Sequence, residues 1–137
     1  MKKLPAILLS VCFLSLSVIN AVYAQDSALE KAENAIQAYF NAILTDESTL
    51  GPNMAMDEAI KEVPDKDQSA LQDYYDRASL SAARQAVDGY AKKLAAGQDA
   101  SNDEDKMHEI EDALSPDSLQ KIKLYYDQVK KTNPKMS

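Results

Sequence analysis

The chain has 137 residues, 22 acids against 15 lysines and arginines, one histidine, one cysteine and a net charge of −7. An acidic balance of this size excludes the usual routes to nucleic acid and anionic lipid, whose affinity rests on basic patches. Three glycines among abundant alanine, leucine, glutamate and lysine, with no alternating β-branched stretch, favour helix throughout.

The first residues read as an address. Lys2 and Lys3, the apolar run from Ile7 to Val18 and the Val22-Tyr23-Ala24 site are the three parts of a secretory signal peptide, with cleavage expected between Ala24 and Gln25. Pro5, Asn20 and three serines argue against a permanent membrane anchor, and Val11 before Cys12 argues against a lipoprotein signal. Cleavage removes Cys12, two lysines and no acid, leaving 113 residues, a net charge of −9 and no thiol. The mature chain, residues 25–137, is expected to be a periplasmic or secreted single helical domain without stable membrane insertion.

The first helix is expected from Ser27, where Glu30 completes a capping box, with Leu29, Ala32, Ile36, Tyr39 or Phe40, and Ile43 as its stripe. It should end near Thr45, with Gly51-Pro52-Asn53 as a breaker. A short second helix, Asn53 to Val63, stops before Pro64. The third starts near Asp65 or Asp67 and runs towards Gly97, a C-terminal cap. Its apolar positions fall in two sets. Leu71 and Leu80 stand nine residues apart, about 900° of rotation, and so point to opposite sides. The helix is therefore buried on two faces or bends near Ala78 to Ser81. After a polar linker, Gln98 to Lys106, a fourth helix spans roughly Asn102 to Leu114. Ser115 caps a fifth, Pro116 enters its first turn, and Asn133-Pro134 close it near Thr132, leaving a short loose tail. The expected architecture is an all-α bundle of four to six helices.

Tyr74-Tyr75-Asp76 recurs 51 positions later as Tyr125-Tyr126-Asp127. At the same offset Leu71 meets Ile122, Met56 meets Met107 and Glu58 meets Glu109, while Pro64 and Pro116 match only with a slip of one. The pattern reads as two related helical hairpins plus an N-terminal helix, or as helical periodicity alone. Tyr75 and Tyr126 lie on the apolar stripes. Tyr74 and Tyr125 lie about 100° round the axis and are candidates for an exposed binding flank.

The motifs for common chemistries are missing. There is no G-x-S-x-G, no phosphate-binding glycine loop and no haem-attachment pair, so no catalytic residue and no cofactor is assigned. Asp99, Ser101, Asp103 and Asp105 begin a calcium-loop spacing, but Glu104 stands where its glycine belongs and Ile110 where its bidentate glutamate belongs. Met54, Met56, Met107 and His108 could offer soft ligands to copper, against their plainer use as core fillers. Between Asp99 and Asp117 eight acids face Lys106 alone, and from Ser118 onward five lysines face Asp127.

No motif ties the chain to a family. The function expected from these features is exported, non-catalytic protein binding, in the manner of an acidic periplasmic inhibitor or immunity protein that covers a basic partner. Its surface would use Tyr74, Tyr125, Asp103, Glu104 and Asp105. The alternatives are a periplasmic copper- or calcium-binding protein and a structural or stress accessory protein.

Overall fold

The computed structural model describes residues 28–136. The expected signal peptide, Cys12 and the Ser27 cap lie outside the described residues. Among those described, the chain forms five helices and no strand. They are α1 (28–44), α2 (Leu50–Lys61), α3 (Gln68–Ala95), α4 (Ser101–Glu111) and α5 (Pro116–Thr132), with a 3₁₀ turn at Asp65–Asp67. No described helix is long and apolar enough to cross a membrane.

α1 buries Ala32, Ile36, Phe40 and Ile43, the 4-4-3 spacing of one helical face. α2 begins earlier than expected, because Pro52 sits in its first turn. There a missing N–H has no intrahelical acceptor to lose, so Gly51-Pro52-Asn53 opens the helix instead of breaking it. α5 starts as expected: Ser115 Oγ accepts from Ser118 N at 3.2 Å, with Pro116 in the first turn. The segment after it is not loose. Asn133 Nδ2 donates to Ala91 O at 2.7 Å, Lys135 Nζ donates to Ala95 O at 3.4 Å, and Met136 is buried. A carbonyl at the end of α3 thus acquires a cationic donor, a favourable charge at a helix C-terminus.

α3 runs through Ala78–Ser81 without interruption, so its two apolar sets reflect burial on two faces. Taken at about 100° per residue, Leu71, Ala82, Ala86, Ala83, Val87 and Ala91 sweep through roughly 200° of the surface. Ser79, fully buried, satisfies its hydroxyl on Asp76 O at 3.1 Å. The first half of α3 packs with α1 and α2, where the Phe40 and Tyr75 rings stand 5.6 Å apart. The second half packs with α4 and α5.

The fold repeats with a period of 51 residues. α1 ends at 44 and α3 at 95; α2 begins at 50 and α4 at 101. Asp46 and Gly97, at equivalent positions, have φ of 60° and 70°. Each closes the same double turn: Glu47 N to Ala42 O with Asp46 N to Ile43 O, and Gln98 N to Lys93 O with Gly97 N to Leu94 O. Pro64 (φ −60°, ψ 151°) and Ser115 (φ −64°, ψ 158°) are equivalent extended caps, which accounts for the one-residue slip of the prolines. Buried pairs follow the same offset: Ala32 and Ala83, Ile36 and Val87, Met56 and Met107, Ala59 and Ile110, Leu71 and Ile122. The unit is larger than a hairpin. The N-terminal helix belongs to it, since α1 corresponds to the second part of α3, and α3 is shared between the units.

Polar groups join the helices where the repeats differ. Asp46 holds a left-handed conformation that glycine takes without strain. Its carboxylate accepts from Asn102 Nδ2 at 2.8 Å and pairs with Lys106 Nζ at 2.9 Å, and Lys106 also donates to Leu44 O at 3.1 Å. These bonds hold the Asp46 carboxyl below its ordinary range, Lys106 contributing most and Asn102 next. Asp103 is buried beside Gly89, where an added Cβ would lie 3.1 Å from its Oδ1, and its Oδ2 pairs with Lys93 Nζ at 2.5 Å.

Two predictions follow from these contacts. A depressed carboxyl contributes stability that is complete above its unfolded pKa, about 4, and is lost as pH falls through the lower folded value. Asp46→Asn should therefore flatten the decline of the thermal midpoint on acidification below that range; an unchanged profile would show that Asp46 carries none of it. Gly89→Ala should cost stability in the wild-type chain, where Asp103 must move, although alanine favours a helix by ~1 kcal/mol. In an Asp103→Ala background the same change should stabilise by about that amount. Denaturant midpoints of the four chains test this, and an equal gain in both backgrounds would refute the close contact.

Candidate binding surface and clefts

Tyr74, Arg77, Ser81, Arg84 and Asp88 follow one another at spacings of three and four along α3, one face roughly 21 Å long at 1.5 Å per residue. Arg77 and Arg84 are exposed and are the only arginines in the chain. Each lies by a flank tyrosine: Arg77 Cζ is 5.9 Å from the Tyr74 ring centre and Arg84 Cζ is 5.5 Å from that of Tyr125, within cation–π range. The tyrosine hydroxyls reach the neighbouring helix at equivalent positions. Tyr74 donates to Gln37 Oε1 of α1 at 3.5 Å, and Tyr125 donates to Asp88 Oδ1 of α3 at 2.6 Å. The Asp88 bond is the main reason the Tyr125 hydroxyl is held above its usual pKa.

The structure thus brings the two sequence-predicted tyrosines into one row, but it does not divide each tyrosine pair into core and surface. Tyr74, Tyr75, Tyr125 and Tyr126 are all half-buried and pack against the core. A tyrosine body is wide enough to span the roughly 100° between neighbouring positions on a helix. Burial is the first cause raising the pKa of Tyr75 and Tyr126, whereas at Tyr125 it ranks behind the hydrogen bond.

The three acids expected to share that surface are separated. Asp103 is buried against Gly89 and Lys93 and presents nothing to a partner. Glu104 and Asp105 are exposed but border different hollows, Glu104 with Tyr126 and Asp105 with Asp46 and Lys106. Consecutive residues of a helix point about 100° apart, so a run of three acids cannot form one patch. Asp99 Oδ1 accepts from Ser101 N at 3.0 Å at the entry to α4, and the rest of the calcium-like spacing is helical. Among the described residues no group of three or more His, Cys, Asp or Glu could hold a metal ion. The soft ligands are also dispersed: Met54 is exposed, Met56 is buried with α1 and α3, and Met107 and His108 border another cleft.

Sequence reasoning missed that cleft and its counterpart. One, of about 310 Å³, lies between α1, α2 and the first half of α3; the other, of about 550 Å³, lies between the second half of α3, α4 and α5. Ile36, Met56, Leu71 and Tyr75 in the first correspond at the 51-residue offset to Val87, Met107, Ile122 and Tyr126 in the second. Their rims diverge. Asp57, Ile60 and Gln72 give way to His108, Glu111 and Lys123. The Met56–Met107 and Tyr75–Tyr126 matches were visible in the sequence, but only the packing shows that each set borders an open cleft.

Tyr125→Phe should lose about 1 kcal/mol, less than a buried hydrogen bond to a charged acceptor because this one is exposed to solvent. Tyr75→Ala should lose ~3–5 kcal/mol, since its ring packs on Phe40. Urea midpoints compare the two, and equal losses would overturn this ranking.

No protein-family model, no curated protein and no solved structure matches this chain.

Proposed function

We propose that the protein is an exported, non-catalytic binding protein that engages another protein through the face formed by α1, α3 and α5. The observation that carries this reading is the row on α3 in which both arginines of an otherwise lysine-based chain lie against Tyr74 and Tyr125. Tyrosine and arginine are enriched where interfaces concentrate their binding energy. A tyrosine whose hydroxyl is already bonded, with a guanidinium resting near its ring, loses less conformational freedom on association than a free side chain.

The acidic excess supports the finer version, an inhibitor- or immunity-type protein in the periplasm whose partner is basic. A strong net charge accelerates encounter with an oppositely charged protein and discriminates among partners more than it raises affinity. Arg77 and Arg84 would act inside the contact as anchors, with Asp73 and Asp88 as acids on the same helix.

A photoreactive residue at Ser81, between the two arginines, tests the reading in intact cells. It should give one discrete cross-linked product, lost in the Arg77→Ala/Arg84→Ala double variant. The same residue at Asp105 on α4 should give none. Equal cross-linking from both positions, or a product unaffected by the double variant, would reject this face as the interface.

A further inference from the structure

We infer that the cleft between the second half of α3, α4 and α5 is a small-ligand site for an organic cation, a molecule with an apolar or aromatic body and one protonated amine. The site is separate from the Tyr74–Tyr125 face. Its volume, about 550 Å³, falls in the range of small-molecule pockets, roughly 300–1,000 Å³. The apolar part is built by Val87, Met107 and Ile122, which accept a hydrocarbon or aromatic body.

The rim supplies the charge preference. Glu104, Glu111 and Asp127 stand against Lys123, and Tyr90 and Tyr126 also line the cleft, aromatic residues of the kind that attract a cation. His108 Nδ1 lies 3.6 Å from Glu111 Oε2 in an exposed i,i+3 pair, which leaves Glu104 and Asp127 as further carboxylates on the rim. Tyr126 has its pKa raised by burial first and then by Tyr90, Glu104 and Asp127, in keeping with a negative surround. An anion of the same shape would meet these carboxylates and be repelled.

The first repeat provides the comparison within one molecule. Its cleft keeps the same floor but is smaller, about 310 Å³, and carries Asp57 beside the neutral Gln68 and Gln72. An apolar floor alone is explained by core packing, since it recurs in both repeats. The charged rim occurs at the second cleft, where core packing does not require it.

The test is amide chemical-shift titration of the purified, ¹⁵N-labelled protein with phenethylammonium. Phenylacetate and 2-phenylethanol serve as the anionic and neutral counterparts, and a short oligolysine peptide as a stand-in for a basic partner. Phenethylammonium should shift Val87, Tyr90, Met107 and Tyr126 saturably, leave Ile36, Met56 and Tyr75 in place, and bind about tenfold more tightly than either counterpart, the share of an ion pair with a cation–π contact. Glu104→Gln and Glu111→Gln, both at exposed or half-exposed positions, should weaken it in the same direction with the rest of the spectrum unchanged. Absence of saturable shifts, equal binding of phenylacetate, or equal response of the two clefts would overturn the assignment. Shifts with the peptide but not with phenethylammonium would also overturn it, and would assign the cleft to a protein interface.

Discussion

Everything else in the structure is referred to α3. One uninterrupted helix serves as the third segment of the first repeat and the first segment of the second, so the two units are joined by a rod and not by a linker. Serving both requires burial on two sides, and apart from Leu71 and Val87 the residues that do it are small: Ser79, Ala82, Ala83, Ala86 and Ala91. Small side chains let neighbouring helices approach while the backbone keeps its own hydrogen bonds. The single buried hydroxyl among them turns back onto its own helix. A bulkier stripe would separate the repeats, and an interruption near Ser79 would free them to turn against one another.

The repeats solve the same packing problem with different chemistry. Ala38, Ala42 and Pro52 of the first stand at the positions of Gly89, Lys93 and Asp103 in the second. Uncharged residues are thereby replaced by an ion pair, and a glycine makes room for the buried carboxylate. A buried charge without a partner costs several kcal/mol, so Asp103, Lys93 and Gly89 stand or fall together. At the helix ends the exchange runs the other way. Gly97 closes α3 with no strain, whereas Asp46 closes α1 in a conformation that asparagine and aspartate tolerate and most residues avoid. Asn102 and Lys106 hold it there, which ties α4 back to the end of α1.

This arrangement distributes the potentially functional groups over separate faces. The row of tyrosine and arginine follows one side of α3, where α1 and α5 supply the acceptor Gln37 and the ring of Tyr125. The clefts open where α2 and α4 pack, each floored by a methionine and bordered by a tyrosine. Because a single helix spans both repeats, the row on its surface has a fixed length and the two clefts a fixed separation.

Much of the fold was legible in the chain itself. Apolar spacing and local punctuation located all five helices, the Ser115 cap, the Gly97 terminus and a 51-residue echo, since these depend on periodicity and on backbone preferences that act within a few residues. Tertiary packing decided the rest. It bound the Asn133–Met136 segment to the end of α3, made the N-terminal helix a member of the repeat, and drew Asp103 inside while leaving Glu104 and Asp105 outside. It also put Arg84 beside Tyr125, 41 positions away in the chain. The physical reason is common to all of these. Helix formation is a local equilibrium, whereas the fate of a charged or aromatic side chain depends on what the neighbouring helix offers at the same height, and that neighbour comes from a distant part of the chain.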